Sequence, residues 1–114
     1  MSASLDRTLS ALADPHRRRA IELLRARARP AGELARALGL SPPAMSRHLR
    51  TLRDAGLVAE SHPAFDARVR VYALKAEPMA ELATWLAEAE QLWTEQLLAL
   101  KTHMETAADH EDDQ

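Results

Sequence analysis

The sequence predicts a mostly helical chain with one small β-hairpin, an α+β architecture in which helices carry the core. Leu and Ala dominate a hydrophobic content of 46%, and the aromatic residues are only two Trp, one Tyr and one Phe. That balance favours helices over a β-sandwich. Apolar residues recur at spacings of three and four over most of the chain, and only after Gly56 does the period fall to two. A length of 114 residues suits one domain with a modest core.

Leu5, Leu9 and Leu12 mark a short amphipathic helix over residues 3 to 13. Asp14 and Pro15 supply an N-cap and a first-turn proline for a second helix running to about Arg27, with Ile21 and Leu24 inward, and Pro30 ends that region. Arg17, Arg18, Arg19, Arg25, Arg27 and Arg29 cannot all face one way on such a helix, so most read as surface charge and a minority as phosphate contacts. Leu34, Ala35 and Leu38 define a third helix over residues 31 to 38 that stops at Gly39. Ser41 caps a fourth helix, Pro42 occupies its first position, where a missing N–H costs nothing, and Gly56 stops it. Met45, Leu49 and Leu52 form its narrow apolar stripe, while Pro43, Ser46, Arg47, Arg50, Thr51 and Arg53 cover the opposite side.

The third and fourth helices are joined by about three residues. That is the spacing of a helix-turn-helix, in which the first helix braces a second that enters the DNA major groove. Leu57 to Ser61 and Arg68 to Leu74 read as strands, the latter alternating Val69 and Val71 with Arg68, Arg70 and Tyr72. The intervening HPAFDA suits a hairpin loop. A hairpin directly after a recognition helix is a wing, with outward Arg68 and Arg70 beside a phosphate backbone or over the minor groove.

From about Pro78 to Met104 one long helix is expected, with Met79, Leu82, Leu86, Ala89, Trp93, Leu97, Leu100 and Met104 along one stripe that Trp85 and Leu92 widen. A second copy of the chain is the simplest cover for that stripe, with the first helix alongside. The expected interface residues are Leu5, Leu9, Leu86, Trp93, Leu97 and Leu100. Residues 1 to 106 then form the folded domain and 107 to 114 a disordered acidic tail.

The net charge of −2 hides a division. Asp14 to Lys75 holds 13 Lys or Arg against 6 Asp or Glu, a net +7, while Ala76 to Gln114 holds one Lys against 10 acids, a net −9. A basic body points to a polyanion partner. The chain has no cysteine, which excludes disulfides, thiolate metal ligands and cysteine nucleophiles. No signal peptide or membrane span is recognisable, so a cytoplasmic location without membrane contact is expected. Gly-rich phosphate loops, G-x-S-x-G and HExxH are absent, which argues against an enzyme, and no cofactor is expected.

The motifs LADPHRRRAIELL, ELARALGLSPPAMSRHLRTLRDAGLV and RVRVYAL, in this order, resemble the ArsR-type winged helix-turn-helix family of bacterial transcription regulators over roughly residues 5 to 104. The resemblance implies a homodimer joined through first and last helices that binds an inverted-repeat operator in double-stranded DNA and usually represses. It places the DNA-reading surface on Ser41, Pro43, Ser46, Arg47, Arg50 and Thr51, with Arg68 and Arg70 on the wing. The long final helix resembles a subgroup that carries Trp there and often lacks recognised metal sites.

Many such relatives hold metals through paired cysteines, which this chain lacks, or through an Asp-x-His pair on the final helix. Here that helix offers Glu88, Glu90, His103 and Glu105, followed by His110, without the pair, so no metal site is expected. His16 and His62 read as exposed polar residues. His48, at the border of the apolar stripe, reads as a hydrogen-bonded structural residue or a phosphate contact, with a sensor role as the alternative. Trp85 and Trp93 read as dimer-core packing, with a pocket for a small apolar effector as the sharper alternative. The competing reading of the whole chain is a helical adaptor whose arginine face docks on an acidic protein.

Overall fold

The computed structural model describes residues 2–112, with side chains through residue 109. They fall into two compact units, the first ending at Leu82 and the second beginning at Ala83. In the first unit, α1 (Ala3–Ala11) begins at Ser2, whose hydroxyl accepts the Leu5 N–H at 3.0 Å. The helix buries Leu5, Thr8 and Ala11, leaving Leu9 and Leu12 half-buried. Its inward face is thus rotated from the all-leucine stripe. Thr8 can turn inward because its hydroxyl donates to the Ser4 carbonyl at 3.1 Å and is not left unsatisfied. Leu5, expected at a dimer interface, is only 4% exposed within its own chain, so it offers little surface to a partner.

Asp14 caps α2 (Pro15–Ala26) by accepting the N–H groups of His16 at 2.8 Å and Arg17 at 3.2 Å. Partial burial acts to raise its carboxyl, but those N–H groups and the nearby positive charge outweigh it and hold it below the ordinary value. The cap therefore contributes above the usual carboxylate range and is lost as acid protonates Asp14. Next come β1 (Arg29–Pro30), α3 (Ala31–Leu38), α4 (Pro42–Asp54), β2 (Val58–Ser61) and β3 (Val71–Leu74).

The three strands form an antiparallel sheet in the order β1-β3-β2. β1 was not foreseen, because two residues carry no periodicity and Pro30 read as a helix terminator. Its edge position tolerates the missing proline N–H. The hairpin strands are also shorter than expected, and Arg68 and Arg70 lie before β3. Tyr72 is a correction of facing: expected outward with the arginines, it is 2% exposed. Its hydroxyl donates to Glu60 at 3.3 Å, across the register pair Glu60 and Tyr72, so the ring can enter the core with its polar end satisfied. Burial, together with the Glu60 carboxylate, raises the phenol above its ordinary value.

The core gathers Ile21 and Leu24 of α2, Leu34 and Leu38 of α3, Met45, Leu49 and Leu52 of α4, Leu57 just before β2, and Val58 and Tyr72 of the sheet. The inward residues expected for α2, α3 and α4 are all in it. Gly39 ends α3 at φ 67°, the left-handed region, with open space around a would-be side chain. Gly39→Ala is accordingly expected to cost about 1 to 2 kcal/mol from backbone strain alone, read as a lower urea midpoint with unchanged slope.

α5 (Ala76–Asp112) starts two residues before the expected position, because Pro78 is tolerated in its first turn, where an N–H has no helical partner. It extends through Asp112, past the predicted end at Met104 and into the expected tail, where Ala107 and Ala108 favour helix. Asp113 and Gln114 lie outside the described residues. In the second unit Leu86, Trp93, Leu97, Leu100 and Met104 are exposed along one side of the helix. Leu92 and Leu98 are exposed to either side of that stripe.

Candidate nucleic-acid interface

The site is built on α3, a short turn and α4. Beyond Gly39, the Leu40 N–H donates to the Ala35 carbonyl at 2.9 Å, and Ser41 Oγ accepts the Ala44 N–H at 3.3 Å. Both helix ends are therefore closed before α4 turns outward. With Met45, Leu49 and Leu52 locked in the core, Pro43, Arg47, Arg50 and Thr51 occupy an exposed arc of about 100°. Among the described residues, the side chains of Arg47 and Arg50 make no ion pair or hydrogen bond. Thr51 spends its hydroxyl on the Arg47 carbonyl at 3.2 Å.

Ser46 lies at the edge of this arc, half-buried, and accepts a hydrogen bond from Arg70 Nη2 at 2.9 Å. Arg70 was expected to point outward from the wing; it is half-buried and ties the base of the hairpin to α4. Arg68 does point outward, its side chain 92% exposed and 3.2 Å from the Asp66 carboxylate. Arg36, which the sequence did not single out, lines a cleft of about 390 Å³ with Ser46, Arg68 and Arg70 between α3, α4 and the hairpin. It could have been noticed only from its place one turn before the helix-turn-helix turn.

The arginines of α2 and its exit divide by what they touch. Arg17 donates through Nε to the Ala11 carbonyl at 2.6 Å and approaches His48 Nδ1 at 3.3 Å. It thereby joins the end of α1 to α4. Because a guanidinium only donates, His48 accepts at Nδ1 in this arrangement, a hydrogen-bonded structural role. Arg18 donates to the Leu12 and Ala13 carbonyls at 2.8 and 3.0 Å. These carbonyls at the end of α1 would otherwise lack helical partners. Arg27 and Arg29 both engage Glu33. The hydrogen bond from Arg27, against partial burial and reinforced by Arg29, holds the Glu33 carboxyl below its ordinary value. Much of this basic segment therefore binds the chain to itself.

In the wing, His62 Nδ1 lies 3.0 Å from the Val69 carbonyl and Nε2 lies 3.6 Å from Glu60. Glu60 also pairs with Arg53 at 2.6 Å, linking α4 to β2. His62, expected merely as an exposed polar residue, spans the hairpin base. Among the described residues no three His, Asp or Glu side chains come together to hold a metal ion, and the His110 side chain lies outside them. No helix among them is long and apolar enough to cross a membrane.

The profile of the bacterial regulatory protein, arsR family, matches residues 14–60, from the Asp14 cap through α4 into β2. The HTH-type transcriptional regulator Rv2034 of Mycobacterium tuberculosis is 42% identical over 94 residues, covering 82% of each chain. The solved ArsR family transcriptional regulator RHA00566 is 32% identical, with a TM-score of 0.71 over 79% of this chain and 96% of its own. The chain belongs to the ArsR family. An ArsR-like transcriptional regulator from Rhodococcus sp. RHA1 superposes with the same TM-score of 0.71 at 27% identity, over 88% of this chain and 92% of its own. This ArsR-family protein is a DNA-binding transcriptional regulator with a winged helix, not an enzyme.

Proposed function

We propose that this ArsR-family chain acts as a homodimeric repressor, in the cytoplasm, on an inverted-repeat operator. In this reading α4 enters the major groove of each half-site and the wing follows the adjacent backbone. The observation that carries it is the pair Arg47 and Arg50, solvent-facing and without side-chain partners among the described residues, on a helix whose other side is fixed in the core. A guanidinium free of internal pairing can grip guanine O6 and N7. Pro43 and Thr51 flank the arginines, Ser41 caps the helix that carries them, and Arg70 with Ser46 sets the wing against it.

The two-fold pairing is proposed from the exposed stripe of Leu86, Trp93, Leu97 and Leu100, with Leu9 on α1 as a smaller contributor. An apolar stripe on an otherwise acidic helix is best covered by its own copy, which places two α4 helices on half-sites about one helical turn apart. Titration of the purified chain with duplexes that it selects from a random-sequence pool tests the reading. Operator binding is expected to weaken steeply with salt, log K falling by about 0.9 per log unit of salt for each phosphate neutralised. Weak binding with no sequence selected would overturn it.

A further inference from the structure

Phe65 is 88% exposed at the tip of the hairpin. Among the described residues of the first unit it is the one large apolar side chain in that condition; the other strongly exposed ones all lie on α5 beyond Leu82. The fold does not need the ring. The tip is held by backbone and by Asp66 instead: the Asp66 N–H donates to the Pro63 carbonyl and the Val69 N–H to the Asp66 carbonyl, both at 3.2 Å. The Asp66 carboxylate also accepts the Arg68 N–H at 3.0 Å. The base of the same hairpin is tied to α4 through Arg70 with Ser46 and through Arg53 with Glu60. A hydrogen-bonded loop thus carries an apolar ring and the outward guanidinium of Arg68, 3.2 Å from the Asp66 carboxylate, on an arm fixed to the helix proposed to enter the groove.

We infer that Phe65 is a DNA-contacting residue, an apolar wedge that the wing sets into the minor groove flanking the half-site, with Arg68 on the adjoining phosphates. The partner is chosen by charge and shape. Arg68 beside the ring suits a polyanion, and the minor groove offers sugar and base surface to an apolar side chain where the major groove is already taken by α4. The ring buries apolar area without displacing counterions, whereas Arg68 displaces them. Phe65 therefore adds affinity that salt does not erode. It also favours base steps that open easily at the flank, which gives selectivity outside the bases reached by α4.

The inference rests on the proposed docking of α4 and is separable from it by experiment. The full chain and its Phe65→Ala, Phe65→Trp and Arg68→Ala variants are titrated, over a series of potassium chloride concentrations, with duplexes selected by the wild-type chain. Phe65→Ala is expected to weaken binding about tenfold at every concentration with the salt slope unchanged, the size expected for partial burial of one phenyl ring. Phe65→Trp should bind within about threefold of wild type, since it keeps an apolar ring. Arg68→Ala should instead lower the slope by about 0.9. Selection repeated with Phe65→Ala should return the same central bases with the flanking positions randomised.

Unchanged affinity of Phe65→Ala would overturn the inference, as would a slope change matching that of Arg68→Ala, which would mean the ring only positions the arginine. A shift in sedimentation of Phe65→Ala alone would assign the ring to contact between copies and also overturn it. Failure of the α4 reading has a different signature: the wild-type chain selects no sequence, or loses nothing on Arg47→Ala and Arg50→Ala.

Discussion

Arg47→Ala and Arg50→Ala together are expected to remove sequence-selective DNA binding while leaving the fold intact. Each guanidinium that grips a guanine with two hydrogen bonds contributes about 1 to 3 kcal/mol of discrimination. At about 1.4 kcal/mol per decade, each loss weakens operator binding by about fivefold to about a hundredfold, and the pair by at least about 25-fold if they act independently. Both side chains are exposed and make no hydrogen bond or ion pair among the described residues, so stability should move by no more than about 0.5 kcal/mol. The contrast is Arg17→Ala, which strips bonds from the Ala11 carbonyl and His48 and should lower the melting temperature first. Binding isotherms beside thermal melts separate the cases. Melting of the double variant well below wild type would make Arg47 and Arg50 structural and remove the basis for placing α4 in the groove.

The helices of the reading head were legible because local signals agreed with the packing they serve. Ser41, Pro42 and the stripe Met45, Leu49 and Leu52 each point to the same helix in the same orientation, and the structure buries that stripe. What escaped the sequence lay in contacts between distant residues. An arginine has the same letter whether it meets solvent, like Arg47, or bridges two helices, like Arg17, which reaches residues 6 and 31 positions away. Arg70 looked like Arg68 by alternation, yet the strand begins only at Val71, so its side chain is free to turn toward Ser46. Tyr72 was misfaced for the related reason that period-two counting starts from an assumed strand end, and an error of one residue reverses every facing. The Phe65 tip gave no periodic signal at all; its exposure follows from a loop closed by Asp66.

Leu97→Glu should dissociate the proposed dimer. Leu97 is 66% exposed in the chain and Trp93 57%, on a segment that carries eight of the chain's acids from Ala83 onward against one lysine. Covering such a leucine contributes about 1.5 to 3 kcal/mol, and a two-fold interface counts every residue twice, so loss of the pair alone costs about 3 to 6 kcal/mol. A carboxylate in its place adds the cost of burying charge beside like charge. The dimer constant should therefore fall by more than about a hundredfold, seen as a shift to monomer in sedimentation equilibrium, with helix content retained. Salt supplies an independent check. Acidic helices from two copies repel, so added salt should tighten the wild-type dimer by screening, while the same salt weakens DNA binding by restoring counterions to the phosphates. One chain with opposite salt responses in its two associations would locate self-pairing on the acidic second unit and DNA contact on the basic first. Sedimentation of Leu97→Glu and Trp93→Glu identical to wild type would place the interface elsewhere, and the spacing proposed for the two α4 helices would fall with it.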